Sequence, residues 1–169
     1  KQNLVFNKNE TIEIILVDSG STDKTVEIAK KYGARIIKSQ KGFAIPRNSG
    51  IKAAKNEIIV FTDADCTVEK NWLTELMKSL DKYPVAGGPT KPPKTNAFGY
   101  CVSIMGYPAG GIKRALTNSG ETTELSTCNL SFKKEIIKKT GLFNETFKFG
   151  VEDTEFIRRV SAKYKLFFN

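Results

Sequence analysis

The sequence predicts an α/β protein with a mostly parallel, Rossmann-like sheet flanked by helices. Two patterns carry the expectation. Through residues 13–87, short apolar runs alternate with longer amphipathic ones, the rhythm of strands joined by crossover helices. The short runs are also apolar at consecutive positions, as strands covered on both faces are. A chain of 169 residues can bury a core without disulfide or metal staples, so a single domain over 1–169 is expected.

Each element has its own signal. Residues 13–17 (EIILV) read as a buried strand. Ser21 or Thr22 is the expected cap of a helix running to about Tyr32, with Gly33 as its stop. Arg35–Lys38 is a short strand, and 44–55 a helix that tolerates Pro46 in its first turn. Residues 57–61 form another apolar strand. Residues 70–82 place Trp72, Leu73, Leu76, Met77 and Leu80 on one helical face. Val85–Gly87 closes this half as a strand.

The second half is less regular. Residues 87–93 (GGPTKPP) read as a loop, and 96–116 as glycine-broken and weakly helical. Residues 122–132 look like strand material around Cys128, and 133–139 like a short helix ended by Gly141. Phe149 and Gly150 precede a helix over 153–163, and Leu166–Phe168 is a last strand. No linker divides the chain and no internal repeat appears.

Composition narrows the function. No run reaches the about 18–20 apolar residues that cross a bilayer, and 1–10 lacks the apolar segment of a signal peptide. Cys66, Cys101 and Cys128 form no CxxC pair, and no histidine is present to join them. That argues against zinc and for reduced thiols in a cytoplasmic protein. The same lack removes histidine as a general base within this chain. The net charge of +9 comes from lysines spread along the chain (Lys30, Lys31, Lys133, Lys134, Lys138 and Lys139 among them), without interleaved aromatics. Solvated helix faces explain them better than a nucleic-acid site. A basic surface also suits an anionic membrane leaflet, and peripheral association there is an expectation.

Ligands of parallel α/β sheets bind beyond the C-terminal strand ends, and two acidic motifs fall there. In VDSGSTDKT (17–25), Asp18 ends a strand, small residues permit a tight turn, and a helix follows. Asp18 could accept from a base or ribose; a simple Asx turn explains the pattern equally well. In VFTDADC (60–66), Asp63 and Asp65 follow an apolar strand. Residues i and i+2 of an extended segment face one side, so the two carboxylates are expected to converge. Such a pair suits Mg²⁺ or Mn²⁺ completed by diphosphate oxygens and water. A solvated acidic turn is the plainer alternative.

Together, EIILVDSGSTDKT, RNSGIKAAKNEIIVFTDADC and GVEDTEFIRR, in this order and spacing, resemble the inverting GT-A glycosyltransferases of family two. The resemblance covers nearly the whole chain. It implies a nucleotide-sugar donor, a UDP-sugar in the first instance, a divalent cation (Mn²⁺ or Mg²⁺), and direct displacement at the anomeric carbon. It further implies that Asp18, with Ser19 and Ser21, contacts the base, that Arg47 lies near base and phosphates, and that Asp63 contacts ribose or sugar. Asp65 would be the metal ligand of the DxD motif. Asp153 would be the catalytic base with Glu152 beside it, and 126–132 (STCNLSF) would line the acceptor side. Residues 1–90 would form the nucleotide-binding half and 91–169 the acceptor-binding half. The acceptor would be a glycan or lipid-linked, in cell-envelope glycan or glycolipid synthesis at the cytoplasmic side of a membrane.

The chain departs from the family pattern at both ends. No strand with a PxYN-like turn precedes residue 13, so the sheet is expected to lack its first strand and the chain to be a fragment. No QxxRW motif follows the ED segment, which favours single transfer over processive synthesis. The competing readings are a sugar-nucleotide nucleotidyltransferase and a non-catalytic nucleotide- or glycan-binding remnant.

Overall fold

The computed structural model describes residues 12–90, 101, 119–148 and 150–169. Strands and helices alternate through the first half as the hydrophobic rhythm requires: β1 (Ile15–Asp18), α1 (Thr25–Lys31), β2 (Arg35–Lys38), α2 (Ala44–Ala53), β3 (Ile58–Phe61), α3 (Trp72–Leu80) and β4 (Val85–Gly87). The second half contributes β5 (Gly120–Thr122), β6 (Leu130–Lys133), α4 (Ile137–Thr140), α5 (Glu152–Ser161) and β7 (Leu166–Phe168), with 3-10 turns at Thr127–Asn129 and Lys134–Ile136. No helix among the described residues is long and apolar enough to cross a membrane.

β1 and β2 pair in parallel as a two-stranded sheet. The other strands form a five-stranded sheet in the order β3-β6-β4-β7-β5. β3 and β4 run in the same direction, but β6 lies between them and opposes both. β7 is parallel to β4, and β5 is an antiparallel neighbour of β7. The larger sheet is therefore mixed. The crossover rhythm of the first half is present, and a strand from the second half is inserted into it.

β6 is the centre of the core. Leu130, Ser131 and Phe132 are all fully buried, and the Ser131 hydroxyl donates to the Ala86 carbonyl at 3.0 Å, which satisfies the polar atom. Val85, Leu166, Phe156, Val160, Ile136 and Phe143 complete the packed centre. On α3 the expected apolar face is the buried one, with Leu76 and Leu80 inside.

Four expectations are corrected. The 13–17 strand begins at Ile15, and none of its residues is buried; Ile12 and Ile14 ahead of it are 46% and 54% exposed. The first helix starts at Thr25 rather than after Ser21 or Thr22. Asp23 takes up the local donor instead, its Oδ1 accepting from the Thr25 N–H at 2.9 Å. Gly33 ends that helix in the left-handed region (φ +77°), as expected. Residues 133–139 do not form one helix. Lys133 pairs with Ile58 as the last residue of β6, and the chain then passes through a 3-10 turn into α4. The strand material of 122–132 is two strands separated by a turn. The weakly helical segment over 96–116 lies outside the described residues, apart from Cys101, as does Phe149.

Candidate active site

The acidic turn after β3, the 123–129 segment and the start of α5 enclose one cleft of about 1250 Å³. Its lining brings together Arg47, Asp63, Asp65, Glu152 and Asp153, five of the eight residues expected from sequence.

β3 delivers the two aspartates. Its four residues pair in register with β6, which fixes where the strand ends. The chain then turns, with the Cys66 N–H donating to the Asp63 carbonyl at 3.0 Å. The segment is thus not extended, and the i, i+2 alternation does not place the pair; the turn brings both carboxylates to the cleft. Asp63 is half-buried, and its Oδ2 accepts from the Cys128 thiol at 3.0 Å. Burial, together with the Asp63 carboxylate, pushes that thiol up to about 11, so it stays protonated as a donor. Asp65 is exposed; the Cys66 thiol stands 4.0 Å from its Oδ1.

The opposite wall is the 123–129 segment. The Ser126 hydroxyl accepts from the Cys128 N–H at 3.4 Å at the start of the 3-10 turn. Asn129 accepts from the Trp72 indole N–H at 2.8 Å and donates to the Pro89 carbonyl at 3.2 Å. β4 ends flush against this wall. A Cβ on Gly87 would stand 2.6 Å from the Asn129 carbonyl oxygen and 2.7 Å from the Leu125 side chain.

α5 supplies the third side. Val151 precedes it in the left-handed conformation (φ +63°, ψ 0°), after Gly150 at φ +93°. Glu152 and Asp153 occupy the first turn, where carboxylates oppose the helix dipole favourably. Glu152 is buried at 3% side-chain exposure, and its Oε1 accepts from the Arg47 guanidinium. Its Oε2 is buried without a hydrogen-bond partner. Asp153 is half-buried; its Oδ1 accepts from the Thr154 N–H at 2.7 Å and the Thr154 hydroxyl at 3.4 Å.

Asp18, Ser19 and Ser21 do not line the cleft. The Asp18 carboxylate closes an Asx turn by accepting from the Ser21 N–H at 2.9 Å. Hydrogen bonds from the Ser21 side chain and backbone hold it below the usual carboxylate range. The Ser19 hydroxyl donates to the Gln40 carbonyl at 3.1 Å. Sequence reasoning also missed Asn48 and any role for Trp72 beyond its helix face, while Asn129 lies in the 126–132 stretch expected at the acceptor side. A signal existed for Asn48, since asparagine is a poor helix-interior residue and here sits buried inside α2.

The cleft is acidic within a protein of net charge +9. Its described lining carries Asp63, Asp65, Glu69, Glu124, Glu152 and Asp153 against Arg47 and Arg158. Such an imbalance favours a bound cation. Among the described residues no three metal-ligating side chains converge. One or two carboxylates completed by phosphate oxygens and water form the habitual shell of Mg²⁺ and Mn²⁺. The exposed Asp65 carboxylate meets that requirement.

Comparison with known proteins points one way. The family model described as Glycosyl transferase family 2 matches residues 2–141. Chondroitin synthase of Pasteurella multocida is 27% identical over 92% of this chain, which corresponds to 20% of that protein. Among solved structures, S. aureus TarS 1-349 matches with a TM-score of 0.68 at 20% identity, over 93% of this chain and 48% of that one. The mannosyltransferase PcManGT of Pyrobaculum calidifontis, solved with GDP-Man and Mn²⁺, matches with a TM-score of 0.63 at 20% identity, over 93% of this chain and 47% of that one. The chain therefore spans half or less of the length of these proteins.

Proposed function

The chain belongs to glycosyl transferase family 2 and has its GT-A fold, and from that premise we propose that it transfers a sugar from a nucleoside diphosphate donor to an acceptor hydroxyl, with inversion and with a divalent cation. The observation that carries the reading is the gathering of Asp63 and Asp65 with Glu152 and Asp153 in one cleft, although the pairs lie far apart in sequence.

In this reading the residues of the cleft divide the work. Asp65 would hold Mn²⁺ or Mg²⁺ beside the donor diphosphate. When bound, the cation neutralises charge that develops on the leaving diphosphate. Asp63, held by the Cys128 thiol, accepts a hydroxyl of the donor ribose or sugar. Glu152, tied to Arg47 through its Oε1, stands beside Asp153 and anchors the first turn of α5. Asp153 takes the proton of the acceptor hydroxyl as that oxygen bonds to the anomeric carbon and the bond to the diphosphate breaks. Attack from the face opposite the leaving group inverts the centre. Asp18, Ser19 and Ser21, outside the cleft, are read as contacts for the base end of the nucleotide.

A UDP-sugar is the first donor to try; the GDP-Man and Mn²⁺ of the Pyrobaculum protein support the donor class and the ion. The acceptor in this reading is a glycan or a lipid-linked glycan, and the enzyme works on the cytoplasmic side of a membrane. Calorimetric titration with UDP, GDP and dTDP, each with and without Mn²⁺, tests the core of it. Metal-dependent binding of one nucleotide that Asp65→Ala abolishes is expected. Absence of binding by all three, or affinity unchanged in the variant, removes the donor site from this cleft.

A further inference from the structure

Arg47 and Asn48 are consecutive on α2, so their side chains leave the helix about 100° apart. They nevertheless reach the same distant stretch of chain, residues 143–152. Arg47 binds Glu152 at its end. Asn48, only 2% exposed, binds its beginning. Its amide donates to the Phe143 carbonyl at 2.9 Å and to Glu145 Oε1 at 2.8 Å, and its oxygen accepts from the Phe143 N–H at 3.0 Å. One side chain thus occupies both backbone groups of Phe143, as a neighbouring strand would.

Phe143 is the joint between the two halves of the site. Its ring stacks on Phe156 of α5 with centroids 4.2 Å apart, and meets Phe61 of β3 edge-on at 5.9 Å. Phe61 stands two residues ahead of Asp63, and Phe156 three residues after Asp153. Phe143 therefore touches both the strand that leads into the acidic turn and the helix that carries Asp153. Asn48 itself does not line the cleft.

We propose that Asn48 is a positioning residue: through Phe143 it sets the separation between the acidic turn after β3 and the base-bearing start of α5. The inference rests on the glycosyl-transfer reading for its catalytic consequence. Its structural consequence stands independently.

Asn48→Ala and the near-isosteric Asn48→Asp test it in the full chain. Asn48→Asp keeps the acceptor for the Phe143 N–H, loses both donors, and sets a carboxylate against Glu145. Pairing it with Glu145→Gln returns a donor to that contact. The readouts are UDP and GDP affinity with Mn²⁺, kcat and KM for release of UDP or GDP from a panel of their hexose conjugates, and amide exchange by segment. The expected result is a kcat lower by about 10- to 100-fold, the scale on which small misplacements act. KM and nucleotide affinity should stay within about twofold of wild type. Glu145→Gln should recover several-fold of the Asn48→Asp loss. Exchange should rise together over 62–66 and 152–156, with α1 and β2 unchanged. If kcat stays within about twofold, or KM and affinity degrade in step with it, the inference falls. Should wild type itself turn over no donor, the functional reading fails, and exchange alone decides this one. Faster exchange confined to 143–145 would make Asn48 a local tie and overturn it.

Discussion

Replacing Arg47 with methionine keeps an unbranched, largely apolar stem, shorter than that of arginine, and removes its charge. Glu152, at 3% side-chain exposure, would then hold a buried carboxylate with neither oxygen paired. Removing one partner of a buried ion pair costs about 3–5 kcal/mol. Arg47 keeps 18% of its side chain exposed, and water screens part of that loss, which brings it to about 2–3 kcal/mol. The guanidinium also lies 5.8 Å from the Phe143 ring centroid, and losing a cation–π contact adds about 0.5–1 kcal/mol. The total is about 3 kcal/mol, a fall in Tm of about 6–12 °C for a domain of this size. Urea unfolding followed by Trp72 fluorescence would measure it, Trp72 being the single tryptophan. Adding Glu152→Gln removes the orphaned charge, so the double variant should regain at least half of the loss. A single variant within about 1 kcal/mol of wild type, or a double variant no better than Arg47→Met alone, would refute the argument from buried charge.

Further outcomes are expected at three positions. Asp153→Asn should leave Mn²⁺-dependent nucleotide affinity intact and cut sugar transfer by about 10²-fold or more; turnover near wild type would send the search for the base elsewhere. The Cys128 thiol, raised from 9.0 to about 11, should be alkylated far more slowly at pH 8 than the exposed Cys101, and Asp63→Asn should speed it. The folded state binds this proton more tightly than the unfolded chain, so its contribution to stability is complete below pH 9 and lost as pH rises through about 11. Stability that rises over that window in wild type relative to Cys128→Ala would contradict it. Gly87→Ala puts a Cβ 2.6 Å from a backbone oxygen, and about 2 kcal/mol of destabilisation is expected; an unchanged melting temperature would mean that the 125–129 wall yields.

What sequence reading reached and what it missed divide along sequence separation. Arg35–Lys38, Val85–Gly87 and Leu166–Phe168 were legible to the residue, because a short apolar run bounded by charge or glycine is a local signal. β6 was not placed. Its insertion between β3 and β4 is a pairing across some 70 residues of sequence that no periodicity encodes. The first-helix cap went wrong for a local reason: several competent capping residues stand in a row, and Asp23 is the one that bonds. In the site, Asp63 and Asp65 stand out in the sequence as an acidic strand end, whereas Glu152 and Asp153 come only from the resemblance of the ED segment to the family; that all four line one cleft is a property of the fold. In the sequence, the RNSG motif points through Arg47 alone, and toward the nucleotide. In the structure Arg47 turns to a carboxylate 105 residues away, and Asn48 makes the tie that motif reading overlooked. A side chain's partner is a property of the folded chain.

Val151 bears on how this protein could be engineered. A β-branched residue held at φ +63° carries about 1–2 kcal/mol of strain, and at 62% exposure it recovers little by packing. Glycine or asparagine would relieve that strain, so a laboratory selection for heat tolerance should arrive at this position early. The gain would come immediately ahead of Glu152 and Asp153, where a relaxed backbone gives the first turn of α5 new freedom. Hardier descendants of this chain should therefore be screened for turnover in the same round that screens them for survival.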